Sequence, residues 1–564
     1  MPALTFIYAI VAIACVAAVI RMLSQPSGDR SGRGWLVAAL LGLACVALVL
    51  GARNAYIVHR TAQAKRHLER GRELMQKGQV KEAEAELERA TQVDPKSEEA
   101  KQELEDLRKA RKEAEQRAAQ GTGDVVPGGG PGGAATGPAA GKGHPQRRES
   151  QVNITRYALD VELFLKEHKV KGEATFGVRA KRGRLRSFEI GLSPQCEIET
   201  ITVGGQPAKT KRADDWVEVT PRDRVGARQD TEVTIRYEGF GKERILPGGD
   251  VLSPEGSYLR PESRWCPAIG FLEFRAPVSV SITVPEGQFA LGPGVLKSET
   301  KTDSGRVTYE WECRQKAMGI CIAAGPWERL DGKAGDVPIM VLLWKQHADR
   351  AEKLLAETEQ VLAHFTSIYG DFPYDKLAIA EIPFFPGGYS PTSMVLFGEL
   401  MFDEKEELIQ KVLAHEIAHQ WWGNLVLPQG PGAGWLAEGF AEYSSILYVG
   451  RANGEKAFRR ALWDAKQQYH VLMHNPPEEP IIETDPFNQQ GSYMGVVYSK
   501  GAYVLHMLRY VVGDEAFFAT LKGFLDAHPY GIGTIADFRE EAEKHAGRKL
   551  EWFFEQWLER TGTI

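Results

Sequence analysis

Cysteine is scarce in this chain of 564 residues: there are six, and no two share a CxxC spacing. Cys15 and Cys45 lie in apolar runs, leaving Cys196, Cys266, Cys313 and Cys321 for the globular part. That excludes a disulfide framework and argues against a cysteine zinc site or redox motif. Buried thiols behaving as small hydrophobes are the expectation. An excess of either charge is lacking too. A formal net charge of −6 is small for this length, and nothing suggests a nucleic-acid partner. Between 61 and 119 glycine and proline nearly vanish, occurring only at Gly71, Gly78 and Pro95, as suits a helical segment.

What is present is strongly segmental, and 43% hydrophobic content supports sizeable cores. Residues 1–60 hold two uncharged apolar runs, 3–20 and 35–52, each close to the roughly 20 residues that span a bilayer as a helix. With no basic residue before the first run and a second run after it, a cleaved signal peptide fits poorly, and a transmembrane hairpin is expected. Arg21, Arg30 and Arg33 against Asp29 make the connection positive. By the positive-inside rule this leans the rest of the chain to the extracytoplasmic side of the cell membrane, although Arg53, Arg60, Lys65 and Arg66 pull the other way. Residues 61–120 read as a helical stalk with the features of a single tetratricopeptide repeat, or as a plain charged helical stalk. Residues 121–150 are rich in Gly, Ala and Pro and form a flexible tether. From 151 to 335, short alternating β-branched segments between Gly, Pro and Asp turns predict an all-β sandwich-like domain. From 336 to 564 apolar positions recur mostly at helical spacing, predicting a mainly α domain.

That last region contains "LIQKVLAHEIAHQWWG", with no proline and no glycine before Gly423. On a helix, His415 and His419 stand four apart on one face and can aim both imidazoles at one metal ion, with Glu416 one step around. The pattern alone is also compatible with two histidines on an ordinary core helix. A third ligand is available in "GWLAEGFAEY": Glu438 follows His419 after eighteen residues, a gap suited to a loop and a second antiparallel helix. Two histidines, one glutamate and a water make a hydrolytic zinc centre. Glu442, one turn beyond, either orients a ligand or is a structural carboxylate.

"HEIAHQWWGN", eighteen residues and "WLAEGFAEY" together resemble peptidase family M1, the zinc aminopeptidases that include aminopeptidase N and leukotriene hydrolase. "YGDFPYDKLAIAEIPFF" (369–385), "VYSKGAYVLHMLRYVVGDEAFFATLKGFL" (497–525) and "LEWFFEQWLERTG" (550–562) extend the resemblance, and the β region at 151–335 fits more loosely. The resemblance implies a thermolysin-like zinc metallopeptidase domain holding one Zn2+ on His415, His419 and Glu438. It implies Glu416 as general base and Tyr498 as hydrogen-bond donor to the oxyanion, with a peptide as substrate. Tyr493, five residues before Tyr498, stands where the family often has another active-site tyrosine.

The chain departs from that family at one motif. Where the family has a GAMEN-type segment whose glutamate pairs with the substrate amine, this sequence has "GGYSP". Gly387, Gly388, Tyr389 and Ser390 are then the candidate substrate contacts, with Ser390 in the place of the glutamate. A neutral serine cannot supply the charge-assisted bond an ammonium wants. Glu381 and Glu399 flank the segment as candidate substitutes. The sequence also ends at Ile564 without the helical domain that closes the cleft in many relatives, so an open cleft is expected. Three readings stand: an aminopeptidase-type zinc peptidase, a zinc endopeptidase, or a catalytically inactive peptide-binding scaffold whose stalk recruits a protein partner. Intact ligands, base and tyrosine favour an enzyme.

Overall fold

The computed structural model describes residues 150–564, apart from 242–248, 271–274, 384, 386, 474–477 and 485–492, together with a few positions between 68 and 104. The apolar runs 3–20 and 35–52 and the tether at 121–150 lie outside the described residues, Ser150 excepted. Among the described residues no helix is long and apolar enough to cross a membrane. The chain divides into two compact units, Met1–Gly128 and Gly129–Ile564. In the first, Leu68, Leu87, Ala90 and Leu104 are helical and share a small apolar cluster. These positions are too few to trace a repeat.

The second unit opens with a sheet of eight strands, and its first strand shows why. In Val152–Phe164 the residues Tyr157, Leu159, Val161 and Leu163 are buried, while Ala158 and Asp160 between them are exposed. That period of two lets one face join the core and leaves the other to water. The strand pairs antiparallel with Lys169–Ala180 and, in the sheet's one parallel pairing, with Arg275–Pro285. Two smaller three-stranded sheets share the same hydrophobic core. The expected β domain is thus all strand apart from loops and one short 3-10 turn among the described residues.

Its expected end at 335 needs correction. Strand Glu328–Ala334 pairs with Val337–Leu343, and this hairpin begins a separate five-stranded sheet continued by Leu377–Ile382, Met394–Gly398 and Gly388–Tyr389. A tight two-residue connection makes the hairpin inseparable, so the second sheet starts at Glu328. Leu377–Ile382 is buried throughout, and its near-continuous apolar run fits a parallel strand covered on both faces. The short strand Gly388–Tyr389 forms this sheet's edge. Helices follow, notably Ala351–Tyr369, Glu406–Ala418, Phe440–Asn453 and Gly501–Val512.

The β domain and the helical region are tied by buried polar contacts. Arg275 donates to the carbonyls of Asn424 (2.7 Å), Leu425 (3.2 Å) and Gly423 (3.1 Å), securing the turn after helix Glu406–Ala418. Lys376 donates to Gly292 O at 3.0 Å, with its Nζ 4.8 Å from the Trp311 ring centre. The four cysteines Cys196, Cys266, Cys313 and Cys321 are buried free thiols.

Candidate active site

Helix Glu406–Ala418 starts with Glu406 and Glu407 in its first turn, where acids suit the helix dipole. It ends before Gly423, whose φ of +123° is open to glycine and strained for other residues. Between them His415 and His419 are buried, with Nε2 atoms 3.2 Å apart. Glu438 reaches them from the next helical segment, its Oε2 3.4 Å from His415 Nε2 and 3.3 Å from His419 Nε2. Among the described residues this is the grouping of three or more His, Cys, Asp or Glu side chains able to hold a metal ion.

The separations fit zinc. Tetrahedral bonds of 2.0–2.1 Å put ligand atoms about 3.3 Å apart, which is the spacing seen here. Both rings are anchored through their other nitrogen. His419 Nδ1 lies 2.9 Å from Trp422 O, so it carries the proton and leaves Nε2 as the donor atom. His415 Nδ1 lies 3.3 Å from Glu442 Oε2, and Lys411 Nζ lies 2.6 Å from Glu442 Oε1. Of the two sequence readings of Glu442, the fold therefore has the carboxylate touching a candidate ligand.

The buried acids favour positive charge on and between the two imidazoles. Burial pushes the His415 imidazole down, but Glu438 and Glu442 outweigh it and raise it to about 10. Burial pushes Glu442 up, yet Lys411 and His415 bring it to about 2. Burial likewise opposes ionisation of Glu438, and the two histidines overcome it. For Glu416 burial wins, and its carboxyl sits above the ordinary range despite His415 and His419. Glu438 and Glu442, held ionised beside two imidazoles, make this a place suited to a divalent ion.

Tyr498 lies parallel to the His415 ring, 5.7 Å away and tilted by 3°, and its hydroxyl bonds to Glu438. Tyr493 packs edge-on to Tyr498 at 5.9 Å. Gly388 touches Glu416 so closely that an added Cβ would stand 2.3 Å from its Cγ. Gly387 O accepts from Gly398 N at 2.8 Å, closing the loop behind that edge strand.

The expectation for Ser390 is corrected. Its hydroxyl donates to Glu416 O at 2.5 Å and accepts from Gln420 Nε2 at 2.9 Å, so it is bound to the histidine-bearing helix and unavailable to a ligand. Glu381 does not substitute for the absent charge either. It accepts from Trp344 N at 2.9 Å, and His347 Nδ1 lies 2.6 Å away. A carboxylate nevertheless stands beside the edge strand: Glu262 of the β domain accepts from the Tyr389 hydroxyl at 3.0 and 3.1 Å and is partly exposed. Sequence reasoning missed it, and no local signal marks it. Lys411 was missed too, although its place four residues before His415 on the same helix face could have pointed to it.

A mixed sheet, an HExxH helix and a glutamate donor from the following helix define a zinc metallopeptidase domain. Residues 354–557 match the Peptidase family M1 domain. The chain is 25% identical over 355 residues to probable aminopeptidase 2 of Sulfurisphaera tokodaii, spanning 59% of this chain and 45% of that protein. It is 33% identical over 165 residues to aminopeptidase N of Lactococcus lactis, spanning 27% of this chain and 18% of that one. The chain thus spans about half the length, or less, of these curated relatives. The M1 zinc metallopeptidase of Deinococcus radiodurans shares the fold, at 20% identity and a TM-score of 0.64 over 75% of this chain and 96% of that one.

Proposed function

We propose that this chain is a membrane-tethered zinc metallopeptidase of aminopeptidase type that hydrolyses peptides from a free N-terminus. The observation that carries the reading is the convergence of His415, His419 and Glu438 at tetrahedral zinc spacing beside Glu416 and Tyr498. Bound there, a single zinc ion would polarise the scissile carbonyl and acidify an attacking water. Glu416 would take a proton from the attacking water and pass it to the leaving amine. The Tyr498 hydroxyl donates to charge that develops only in the transition state. A peptide pairs with the edge strand Gly388–Tyr389 as an added strand, and Tyr493 lines the pocket beside Tyr498.

The free amine needs an anion, and Glu262, held by Tyr389, is the carboxylate that supplies it. A solved structure of the Deinococcus radiodurans enzyme carries a Tyr-Ser-Ala substrate, a peptide with such an amine. The two apolar runs at 3–20 and 35–52 support the tether, and the arginines between them support an extracytoplasmic active site.

A zinc endopeptidase is the second reading, favoured by the inward turn of Ser390. The two are separated by aminoacyl reporters beside N-acetylated peptides. The first reading expects cleavage of the free reporters alone, with Glu262→Gln raising KM about tenfold to a hundredfold for loss of a charged hydrogen bond. Equal cleavage of both substrates would establish the endopeptidase instead.

A further inference from the structure

Glu438 and Tyr498 come from segments sixty residues apart in sequence, yet both stand on a π-helical turn, Trp435–Gly439 and Met494–Lys500. Each turn then tightens into an α-helix, Phe440–Asn453 and Gly501–Val512. Such widened turns are rare and recur at functional sites. Here the two face one another across one buried side chain. The Trp435 indole is fully buried and its Nε1 donates to Gly501 O at 3.0 Å. An added Cβ at Gly439 would stand 2.5 Å from Trp435 Cδ1 and 3.1 Å from Val497 O. One at Gly501 would stand 2.7 Å from the same Cδ1 and 3.4 Å from Gly439 Cα.

Backbone conformation does not explain these glycines. Gly439 has φ −62° and ψ −38°, and Gly501 has φ −57° and ψ −44°, ordinary right-handed values open to any residue. At such positions alanine is better than glycine by about 1 kcal/mol. What excludes alanine is space: the edge of the indole fills the gap a methyl would need. Gly439 follows Glu438 directly and Gly501 lies one turn after Tyr498, so the indole fixes the separation of the turns that carry both side chains.

We infer that Trp435, Gly439 and Gly501 form a spacer that sets the Tyr498 hydroxyl against the metal-binding trio, and that they are positioning residues. The inference rests on the proposed oxyanion role of Tyr498 and assigns how that role is kept in register. A methyl at Gly501 must move the Met494–Lys500 turn or the indole. A displacement of about 1 Å at a catalytic group can cost about a hundredfold in rate.

The test is kinetic, on the full chain, with aminoacyl and acetylated peptide reporters, zinc content and melting temperature read in parallel. Gly501→Ala is expected to keep one zinc and its fold while kcat falls at least about tenfold and KM changes less than about threefold. In a Tyr498→Phe background the same substitution should change kcat by less than about twofold, because the group being positioned is gone. An undiminished kcat in Gly501→Ala, or an equal loss in both backgrounds, overturns the spacer. Should Gly501→Ala not fold, Trp435→Phe removes the bond to Gly501 O and is judged by the same two criteria. An undiminished kcat in Tyr498→Phe overturns the catalytic reading and the spacer's purpose together. A diminished one there, with a normal Gly501→Ala, overturns the spacer alone.

Discussion

Glu442 shows what a single residue gains from its surroundings. It accepts from Lys411 on one oxygen and stands 3.3 Å from His415 Nδ1 on the other, so it leaves Nε2 as the nitrogen that faces His419 and Glu438. Outer partners of this kind typically govern metal affinity by 10–100-fold. Glu442→Gln should therefore weaken zinc binding by about that factor, measured by competition with a chromogenic chelator. An unchanged zinc affinity would return Glu442 to a packing role. At this scale the site was largely legible. His415, Glu416, His419 and Glu438 follow from helical periodicity and one gap, because ligands on adjacent helices leave a regular spacing. The bond from Tyr389 to Glu262 left no trace, since 127 residues separate its partners and only the folded sheet edge joins them.

Among the elements, strands with one wet face announced themselves through alternation, as in Val152–Phe164, and the histidine-bearing helix through its helical spacing free of proline and glycine. The π-turns at 435–439 and 494–500 were not legible, because their residues follow the same apolar spacing as the α-helices they lead into. Nor was the junction between the sheets, where Lys376 sits. Burial pushes its ammonium down to about 7, while neutral carbonyls and an aromatic face surround it. An unfolded chain holds that proton up to about 10.4. Between the two values the unfolded state binds a proton that the folded state has released, so stability rises with pH across that window and is lowest below pH 7. Comparing urea unfolding at pH 6.5 and 9.5, the wild type should gain about 3 kcal/mol relative to Lys376→Met. Parallel profiles for the two proteins would show that the lysine is charged in the fold and compensated.

For the whole molecule, the β domain reaches the elements that carry the candidate active site. It secures the turn after the histidine-bearing helix through Arg275 and lends Glu262 to the edge strand. The fold class was legible from patterning, and the boundary near 328 was not, because Glu328–Ala334 alternates exposed and half-buried residues like the β-domain strands before it. The match to the M1 domain over residues 354–557 takes in the donor set, while the GGYSP segment, with Ser390 turned inward, is where this chain differs from the GAMEN pattern that the sequence resemblance implied. The account stands or falls on whether the trio holds zinc for Glu416 to use. The most direct measurement is zinc content and peptide turnover in the wild type and in Glu416→Gln, side by side. One zinc per chain in both proteins, with turnover at least about a hundredfold lower in the variant, is the expected result. A wild type that binds zinc and cleaves no peptide, or a variant that cleaves at the wild-type rate, would contradict it.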